Sequence, residues 1–212
     1  MDKSRVYIGV TQKAVTNPAT QDVHTASEIV PRLYISDVEI ATNKSVLESL
    51  NITHILSVML VQDIPKLDLP KQLIRYAVPI LDRPNAPLLP ELSGAVSFIT
   101  NALIDPKARV LCHCYAGASR SPTIVIAYLL SSMNMTVDEA LNYVRVKRGI
   151  TRPNPGFVQQ LRTWDEDRRH KDVRLRSADA QDLDRVKAQH IDYGAAIRVS
   201  LTLMPDRVIS WA

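Results

Sequence analysis

Residues 110–121 of the 212-residue chain read VLCHCYAGASRS, and this stretch decides both the fold class and the site. Its first part is apolar, as a short buried strand requires, and the apolar run after Pro122 is long enough for a helix. The intervening residues 116–119 are all small. A small-residue loop at a helix N-terminus turns backbone amides towards its centre, where the helix dipole adds positive potential. The stretch therefore predicts a binding site for an anion of phosphate size.

Cys114, at the mouth of this loop, is a candidate nucleophile. Positive potential favours the thiolate over the thiol, and the thiolate is the reactive form of cysteine. The guanidinium of Arg120 can donate two hydrogen bonds to phosphate oxygens, and the Ser121 hydroxyl can donate one to the sulfur. The loop residues that would surround the phosphate are Tyr115, Ala116, Gly117, Ala118 and Ser119. This set of residues indicates attack by sulfur on a phosphoryl group.

Asp82 is the candidate general acid for that reaction. The attack of sulfur on phosphorus expels an alkoxide or phenoxide, which is too basic to leave unless it is protonated. Asp82 follows the strand-like run 73–80 and stands in the proline-rich loop 81–90, which is stiff enough to hold a carboxylate over a neighbouring loop. An aspartate in such a loop also commonly forms a turn or a cap, so this pattern alone leaves both interpretations open.

Cys112 is the only other cysteine of the chain. Strand alternation places it on the same face as Cys114 but within the sheet, so we expect it in the core, with a disulfide to Cys114 open under oxidation. Two cysteines this close along one strand exclude a disulfide scaffold. The sequence around them lacks the second Cys/His cluster that a zinc site needs. We expect neither a metal ion nor another cofactor.

The order of the predicted elements is that of an α/β domain. We expect strands over residues 29–35, 53–59, 73–80 and 109–113, and helices over 36–50 and 92–103, from Pro122, from Thr136 and after Asn154. Capping boxes at Ser36–Glu39 and Thr136–Glu139 support two of the helix starts. The fold class is three-layer α/β, with a central mixed sheet flanked by helices. The predicted parts are an N-terminal arm (1–27), a catalytic domain (28–171) and a C-terminal extension of unknown structure (172–212).

Composition limits the class of partner. The formal net charge of +4 suits anionic ligands but falls short of a nucleic-acid-binding surface. No apolar run reaches the roughly 18 residues of a membrane helix, and residues 1–4 begin no apolar signal segment. We therefore expect a soluble protein of the cytoplasm or nucleus, without nucleic-acid or membrane partners. The sequence indicates no oligomeric state.

Four separated motifs together resemble the dual-specificity branch of the cysteine-dependent protein tyrosine phosphatases. They are His113-Cys114-x5-Arg120, the loop AGASRS at 116–121, Asp82 at the distance where that branch carries its general acid, and Pro153-Asn154-x-Gly156-Phe157-x-x-Gln160-Leu161. The resemblance covers about Ile29 to Trp164. The chain has no room for the docking domain of the kinase-directed members, so the resemblance is to the small, atypical members.

This resemblance implies a protein tyrosine phosphatase-like fold and hydrolysis of phosphotyrosine and phosphoserine/phosphothreonine in proteins, through a cysteinyl-phosphate. Cys114 would be the nucleophile and Asp82 the acid and then the base, while Arg120 and the loop amides would hold the phosphate. His113 would shape the loop and the surroundings of the thiolate, and Asn154 would hold neighbouring structure. From the residues alone, a buried structural histidine and a simple helix cap explain His113 and Asn154 equally well.

Two alternatives stay open. Relatives with the same loop act on lipids, inositol phosphates or RNA 5′ ends, but multiply charged substrates favour lysines in the cradle, and residues 114–121 contain none. A non-catalytic phosphate-binding pseudophosphatase is disfavoured because Cys114, Arg120 and Asp82 are all present.

Few residues lie outside the core elements, which predicts a shallow site that accepts both kinds of phosphorylated side chain. Tyr115 would either lie at the rim of this site or pack away from it.

Overall fold

The computed structural model describes residues 24–63 and 72–174, which contain a five-stranded mixed sheet. The strands, in their order across the sheet, are β1 (Ser27–Val30), β2 (Leu33–Ser36), β5 (Val110–His113), β3 (His54–Ser57) and β4 (Ile74–Ala77). The first two strands are antiparallel, and the other neighbouring pairs are parallel. Strand β5 is thus central, so the loop that follows it emerges from the middle of one edge of the sheet.

Helices cover both faces of this sheet. They are α1 (Val38–Ala41), α2 (Lys44–Ser49), α3 (Leu89–Ile104), α4 (Arg120–Met133), α5 (Val137–Lys147) and α6 (155–165). Side chains of β5 alternate between two cores: Cys112 packs with residues of α3, α4 and α5, whereas Leu111 packs with residues of α1 and α2. The predicted three-layer α/β fold is confirmed, and so is the core position of Cys112, which has no exposed surface.

The prediction of one strand over residues 29–35 is wrong, because this segment is a hairpin. Proline lacks a backbone N–H and fixes its φ, so Pro31 ends strand pairing, and Arg32 adopts a left-handed φ of 71°. The Arg32 guanidinium donates to the carbonyl oxygens of Leu103 and Asp105, at 3.1 and 2.7 Å. These bonds stabilise a turn that the apolar pattern alone did not indicate.

The capping box predicted at Ser36–Glu39 is also wrong. Ser36 belongs to β2, and the N-cap of α1 is Asp37, whose carboxylate accepts from the amide of Ile40 at 2.9 Å. The predicted helix over 36–50 is two short helices, because Asn43 takes an extended conformation and caps α2. In contrast, the capping box of Thr136 and Glu139 is confirmed, with both reciprocal bonds present.

The chain divides into two compact units, Met1–Asp165 and Glu166–Ala212. Residues 166–174 of the second unit are helical. The predicted bounds of the arm, the catalytic domain and the extension stay predictions, since most of the arm and the extension lies outside the described residues. Neither described range contains a helix long and apolar enough to cross a membrane.

Candidate active site

The loop between β5 and α4 places Cys114 at the carboxyl edge of the sheet. The thiol is almost completely buried, with 2% of the residue exposed. The Ser121 hydroxyl, in the first turn of α4, donates to the Cys114 sulfur at 3.3 Å. A hydrogen bond to sulfur is stronger when the sulfur is an anion, so this contact places a donor where it can stabilise a departing sulfur.

Every backbone carbonyl of residues 115–119 is hydrogen-bonded to surrounding protein. The donors, in loop order, are the amide of Val38, the Arg148 Nη2 and Nε groups, the amide of Arg152, and Thr123 through both its amide and its hydroxyl. A peptide N–H points opposite to the carbonyl of the preceding residue, so the amides of residues 116–120 point into the loop. Within the described residues none of these amides donates a hydrogen bond. This is the backbone geometry that the predicted anion cradle requires, and the binding of an anion there stays a prediction.

Gly117 is required by the tight approach of the loop to strand β2. Its φ is +65°, and a Cβ there would collide with the carbonyl group of Ser36 and with the Arg148 guanidinium. Only glycine combines this conformation with so close a contact. The small residues of the loop thus reflect packing behind the cradle as well as space inside it.

Asp82 contacts this loop directly, although it is distant in the sequence. One carboxylate oxygen accepts from the Ser119 hydroxyl and from the Asn154 side-chain amide, each at 2.7 Å. The other oxygen lies 3.8 Å from Nε of Arg120. About a third of the Asp82 side chain is exposed, so a substrate can reach it from solvent. The structure brings Asp82, Asn154, Arg120 and the cysteine loop together.

The segment Asn154–Leu161 holds the loop that carries Asp82. Asn154 caps α6 by accepting from the amide of Phe157 at 2.9 Å while it donates to Asp82. Gln160 accepts from the amides of Leu88 and Leu89, both at 2.8 Å, and donates to the carbonyl of Ala86 at 2.9 Å. A Cβ on Gly156 would collide with the backbone of Pro84. These contacts give the final-helix motif a physical role, which is to fix the loop from 82 to 89.

Arg120 lies between the cysteine loop and the loop that carries Asp82, and one of its N–H donors has no hydrogen-bond partner among the described residues. Its Nη1 donates to the carbonyl oxygen of Ile80 at 3.3 Å, and its Nε is buried without a hydrogen-bond partner among the described residues. A buried donor without a partner costs free energy unless something accepts from it. An oxyanion in the cradle would supply that acceptor.

His113 is buried beneath the loop at the end of β5. Its Nε2 lies 2.7 Å from the Ser57 hydroxyl oxygen. Burial lowers the pKa of His113 to about 4, against smaller opposing effects of the Cys114 backbone and the Asp37 carboxylate. The imidazole is therefore neutral at pH 7, so it contributes packing and hydrogen bonding near the thiolate rather than positive charge.

Tyr115 does not pack into the core, since 68% of the residue is exposed. Its backbone carbonyl accepts a hydrogen bond from the amide of Val38, at the start of α1. The position of the ring at the rim of the site stays a prediction.

Sequence reasoning missed Arg148 and Asp37, which are both buried next to the loop. A signal for Arg148 was present, since it continues the buried stripe of α5 formed by Val137, Leu141 and Val144. A charged residue at a core position of an amphipathic helix calls for a partner inside the protein. Asp37 had no comparable signal, because it stands next to a residue that also fits a helix cap.

The fold and the site define a class of enzyme. A cysteine sulfur at the base of an amide-lined anion cradle, with an arginine beside it and a carboxylate facing it, is the arrangement that a cysteine-dependent phosphatase needs. The comparisons with known proteins agree. Residues 33–167 match the family described as dual specificity phosphatase, catalytic domain.

Individual relatives lead to the same family. The chain is 38% identical to dual specificity protein phosphatase 1B of Arabidopsis thaliana over 140 residues, which are 66% of this chain and 81% of that protein. It is 39% identical to dual specificity protein phosphatase 26 of Bos taurus over 142 residues, 66% of this chain and 67% of that one. The crystal structure of DUSP15 aligns with a TM-score of 0.61 at 29% identity, covering 66% of this chain and 86% of that one. The chain belongs to the dual-specificity phosphatase family.

Proposed function

We propose that Cys114, Arg120, Asp82 and Ser121 carry out the reaction of this cysteine-dependent dual-specificity protein phosphatase. The observation that supports the assignment best is the outward hydrogen bonding of the carbonyls of residues 115–119 around a buried cysteine. It leaves the amides of residues 116–120 and the Nε of Arg120 as donors around one volume. Three phosphate oxygens need such a set of donors, and sulfur lies at its base.

In the first step, the Cys114 sulfur attacks the phosphorus and a sulfur–phosphorus bond forms while the bond to the leaving oxygen breaks. The amides and Arg120 hold the three other oxygens, where negative charge is concentrated in the transition state. The Asp82 carboxyl gives its proton to the leaving oxygen of the tyrosine, serine or threonine side chain. The dephosphorylated protein then leaves, and the phosphate stays on Cys114.

In the second step, water attacks the phosphorus of the cysteinyl-phosphate. The Asp82 carboxylate accepts a proton from this water, the phosphorus–sulfur bond breaks, and inorganic phosphate forms. Sulfur leaves as a thiolate, which the Ser121 hydroxyl stabilises through its hydrogen bond. Asp82 ends this step protonated and ready for another turnover, so proton balance is complete.

A phosphoprotein substrate fits the surface around the cradle better than a multiply phosphorylated small molecule does. Residues 114–121 contain a single cationic side chain, Arg120, and the exposed Tyr115 offers a ring rather than a charge at the rim. Lipid, inositol and RNA phosphates need further cations for their additional phosphates. Asp82 is partly exposed, which agrees with a site shallow enough for serine and threonine.

A substrate comparison tests this proposal. Matched phosphotyrosine and phosphothreonine peptides should both be hydrolysed, and inositol phosphates and an RNA 5′-triphosphate much more slowly. A preference for phosphotyrosine of several thousandfold would contradict dual specificity, and faster hydrolysis of inositol phosphates or RNA would contradict the phosphoprotein assignment.

A pair of cysteine variants tests the nucleophile. Cys114→Ser should lose turnover while it still binds phosphate analogues, because an alkoxide is not available at neutral pH. Cys112→Ser is the matched control, since its hydroxyl can keep the bond that Cys112 donates to the Ser121 carbonyl, and it should keep turnover. Turnover by Cys114→Ser at the parental rate would refute the proposed chemistry. If the unsubstituted protein binds phosphate analogues but does not hydrolyse any substrate, the protein is a pseudophosphatase.

A further inference from the structure

Arg148, at the end of α5, lies behind the cysteine loop rather than in solvent. Only 1% of the residue is exposed, which makes it the largest fully buried side chain of the described residues. Burying a guanidinium is costly unless its N–H groups are satisfied. The contacts of this side chain therefore show what its burial achieves.

Two of its donors hold consecutive carbonyls of the loop. Nε donates to the carbonyl oxygen of Gly117 at 2.7 Å, and Nη2 donates to that of Ala116 at 3.3 Å. Since a peptide N–H points opposite to the preceding carbonyl, these bonds turn the amides of Gly117 and Ala118 towards the phosphate position. The planar guanidinium can hold two neighbouring acceptors at once, which a lysine ammonium does not reproduce.

The remaining donor ties the same side chain to the start of the described chain. Nη1 donates to the carbonyl of Thr25 at 3.0 Å and to the hydroxyl of Ser27 at 3.2 Å. The guanidinium is thus fixed from both sides, between β1 and the cysteine loop. A side chain held in this way can keep the loop in one conformation.

The charge of Arg148 also acts on the loop. Burial lowers the pKa of the Arg148 guanidinium, while the negative charges of Asp37 and of the Cys114 sulfur oppose this effect. An arginine stays protonated in proteins, so a permanent cation lies behind the cysteine loop. A cation near a thiol favours the charged form of that thiol.

We propose that Arg148 is a positioning residue of the phosphatase: it holds the carbonyls of Ala116 and Gly117 away from the cradle, and its charge favours the Cys114 thiolate. The proposal rests on the function proposed above for Cys114 and the loop. Arg148 contributes in two ways, through the hydrogen-bonding geometry of its guanidinium and through its charge. Two substitutions distinguish these contributions.

The test compares Arg148→Lys, which keeps the charge, with Arg148→Gln, which removes it. Two readouts are measured: the pH midpoint for alkylation of Cys114 by iodoacetamide, and the inhibition constant of inorganic phosphate. Both variants should bind phosphate at least about tenfold more weakly, because the loop amides lose their orientation. Arg148→Gln should raise the alkylation midpoint by about half a pH unit or more beyond the value of Arg148→Lys, because only Arg148→Gln also removes the charge.

Arg162→Gln provides the matched control. It makes the same chemical change, and Arg162 is exposed and donates to the Asp138 carboxylate at 2.8 Å, a contact between α6 and α5 that does not include the cysteine loop. This variant should keep the parental values of both readouts. A purely structural role for Arg148 predicts lower stability but unchanged phosphate inhibition and an unchanged alkylation midpoint in the folded variants, and that result would overturn the proposal.

A measurement on the unsubstituted side chain covers the case in which the Arg148 variants do not fold. The NMR signal of the Arg148 Nε–H group should shift as pH passes through the alkylation midpoint in the parent, and this shift should be absent in Cys114→Ser. The other titratable or charged groups around the loop include His24, Asp37, Asp82, Cys112, His113, Arg120 and Arg152, and Cys114→Ser leaves all of them in place. A signal that responds to pH in the same way in both proteins would overturn the electrostatic coupling. If turnover depends on Cys114 but Arg148→Gln behaves like the parent, the positioning role fails and the phosphatase function stands.

Discussion

Replacing Gly156 with alanine tests how strongly the reaction depends on the position of Asp82. The new Cβ would collide with the carbonyl oxygen of Pro84 and would lie 2.6 Å from its Cα, where ordinary contacts begin at 3.4 Å. Because the obstacle is backbone, the loop that carries Asp82 has to move by at least about 1 Å, and a misplacement of this size costs on the order of 100-fold in rate. This loss corresponds to about 2.7 kcal/mol of transition-state stabilisation.

The assay for Gly156→Ala compares kcat/KM on phenyl phosphate and on p-nitrophenyl phosphate. Phenoxide is the poorer leaving group and needs the proton of Asp82 more, so its hydrolysis should fall about 100-fold and that of p-nitrophenyl phosphate less than about tenfold. Gly94→Ala is the control, because its Cβ would meet only the end of the Tyr76 side chain, which can move. Parental rates on both substrates, or equal losses on both, would refute the reasoning.

Three further predictions concern single side chains of the site. Asp82→Asn should slow phenyl phosphate hydrolysis strongly and p-nitrophenyl phosphate hydrolysis less, and equal loss on both substrates would remove Asp82 from the acid role. Ser121→Ala should slow breakdown of the phosphoenzyme about tenfold and leave its formation nearly unchanged, because the departing thiolate loses a hydrogen bond. Rapid-quench kinetics should then show a larger product burst than in the parent, and a burst of parental size would contradict this. The pKa of His113 is lowered from 6.5 to about 4, so the unfolded chain binds more protons between these values and stability falls as pH drops through this window, by about 3 kcal/mol at most. Urea unfolding should therefore show a weaker pH dependence in His113→Gln than in the parent, and parallel curves would exclude His113 as its source.

The cysteine loop could be predicted from sequence because its parts are adjacent along the chain. A strand, small residues and a helix start within residues 110–121 leave few geometries, and all of them bring Cys114, Arg120 and Ser121 together. Asp82 and Asn154 are distant in sequence, and the residue pattern left their roles open. Asp82 and Asn154 both contact Ser119 in the folded protein, and this contact depends on tertiary structure that the sequence pattern does not show.

The errors in the fold have local physical causes. Apolar residues on both sides of Pro31 suggested one strand, but the turn there depends on the left-handed conformation of Arg32 and on carbonyls that lie far along the chain. The sequence does not identify Asp37 as the cap because Ser36 satisfies the same pattern one residue earlier. The role of Arg148 is not evident from sequence because charged residues near the end of a helix usually face solvent.

Identification of the phosphorylated residue after rapid quenching tests the central claim most directly. A ³²P-labelled phosphopeptide is mixed with the protein for milliseconds, the reaction is stopped with acid, and the labelled peptide is located by mass spectrometry. The structure predicts an acid-stable phosphate on the sulfur of Cys114, formed in the parent and in Cys112→Ser and absent in Cys114→Ser. Phosphate release without any labelled cysteine under conditions that trap the intermediate, or label on another residue, would contradict the proposed mechanism.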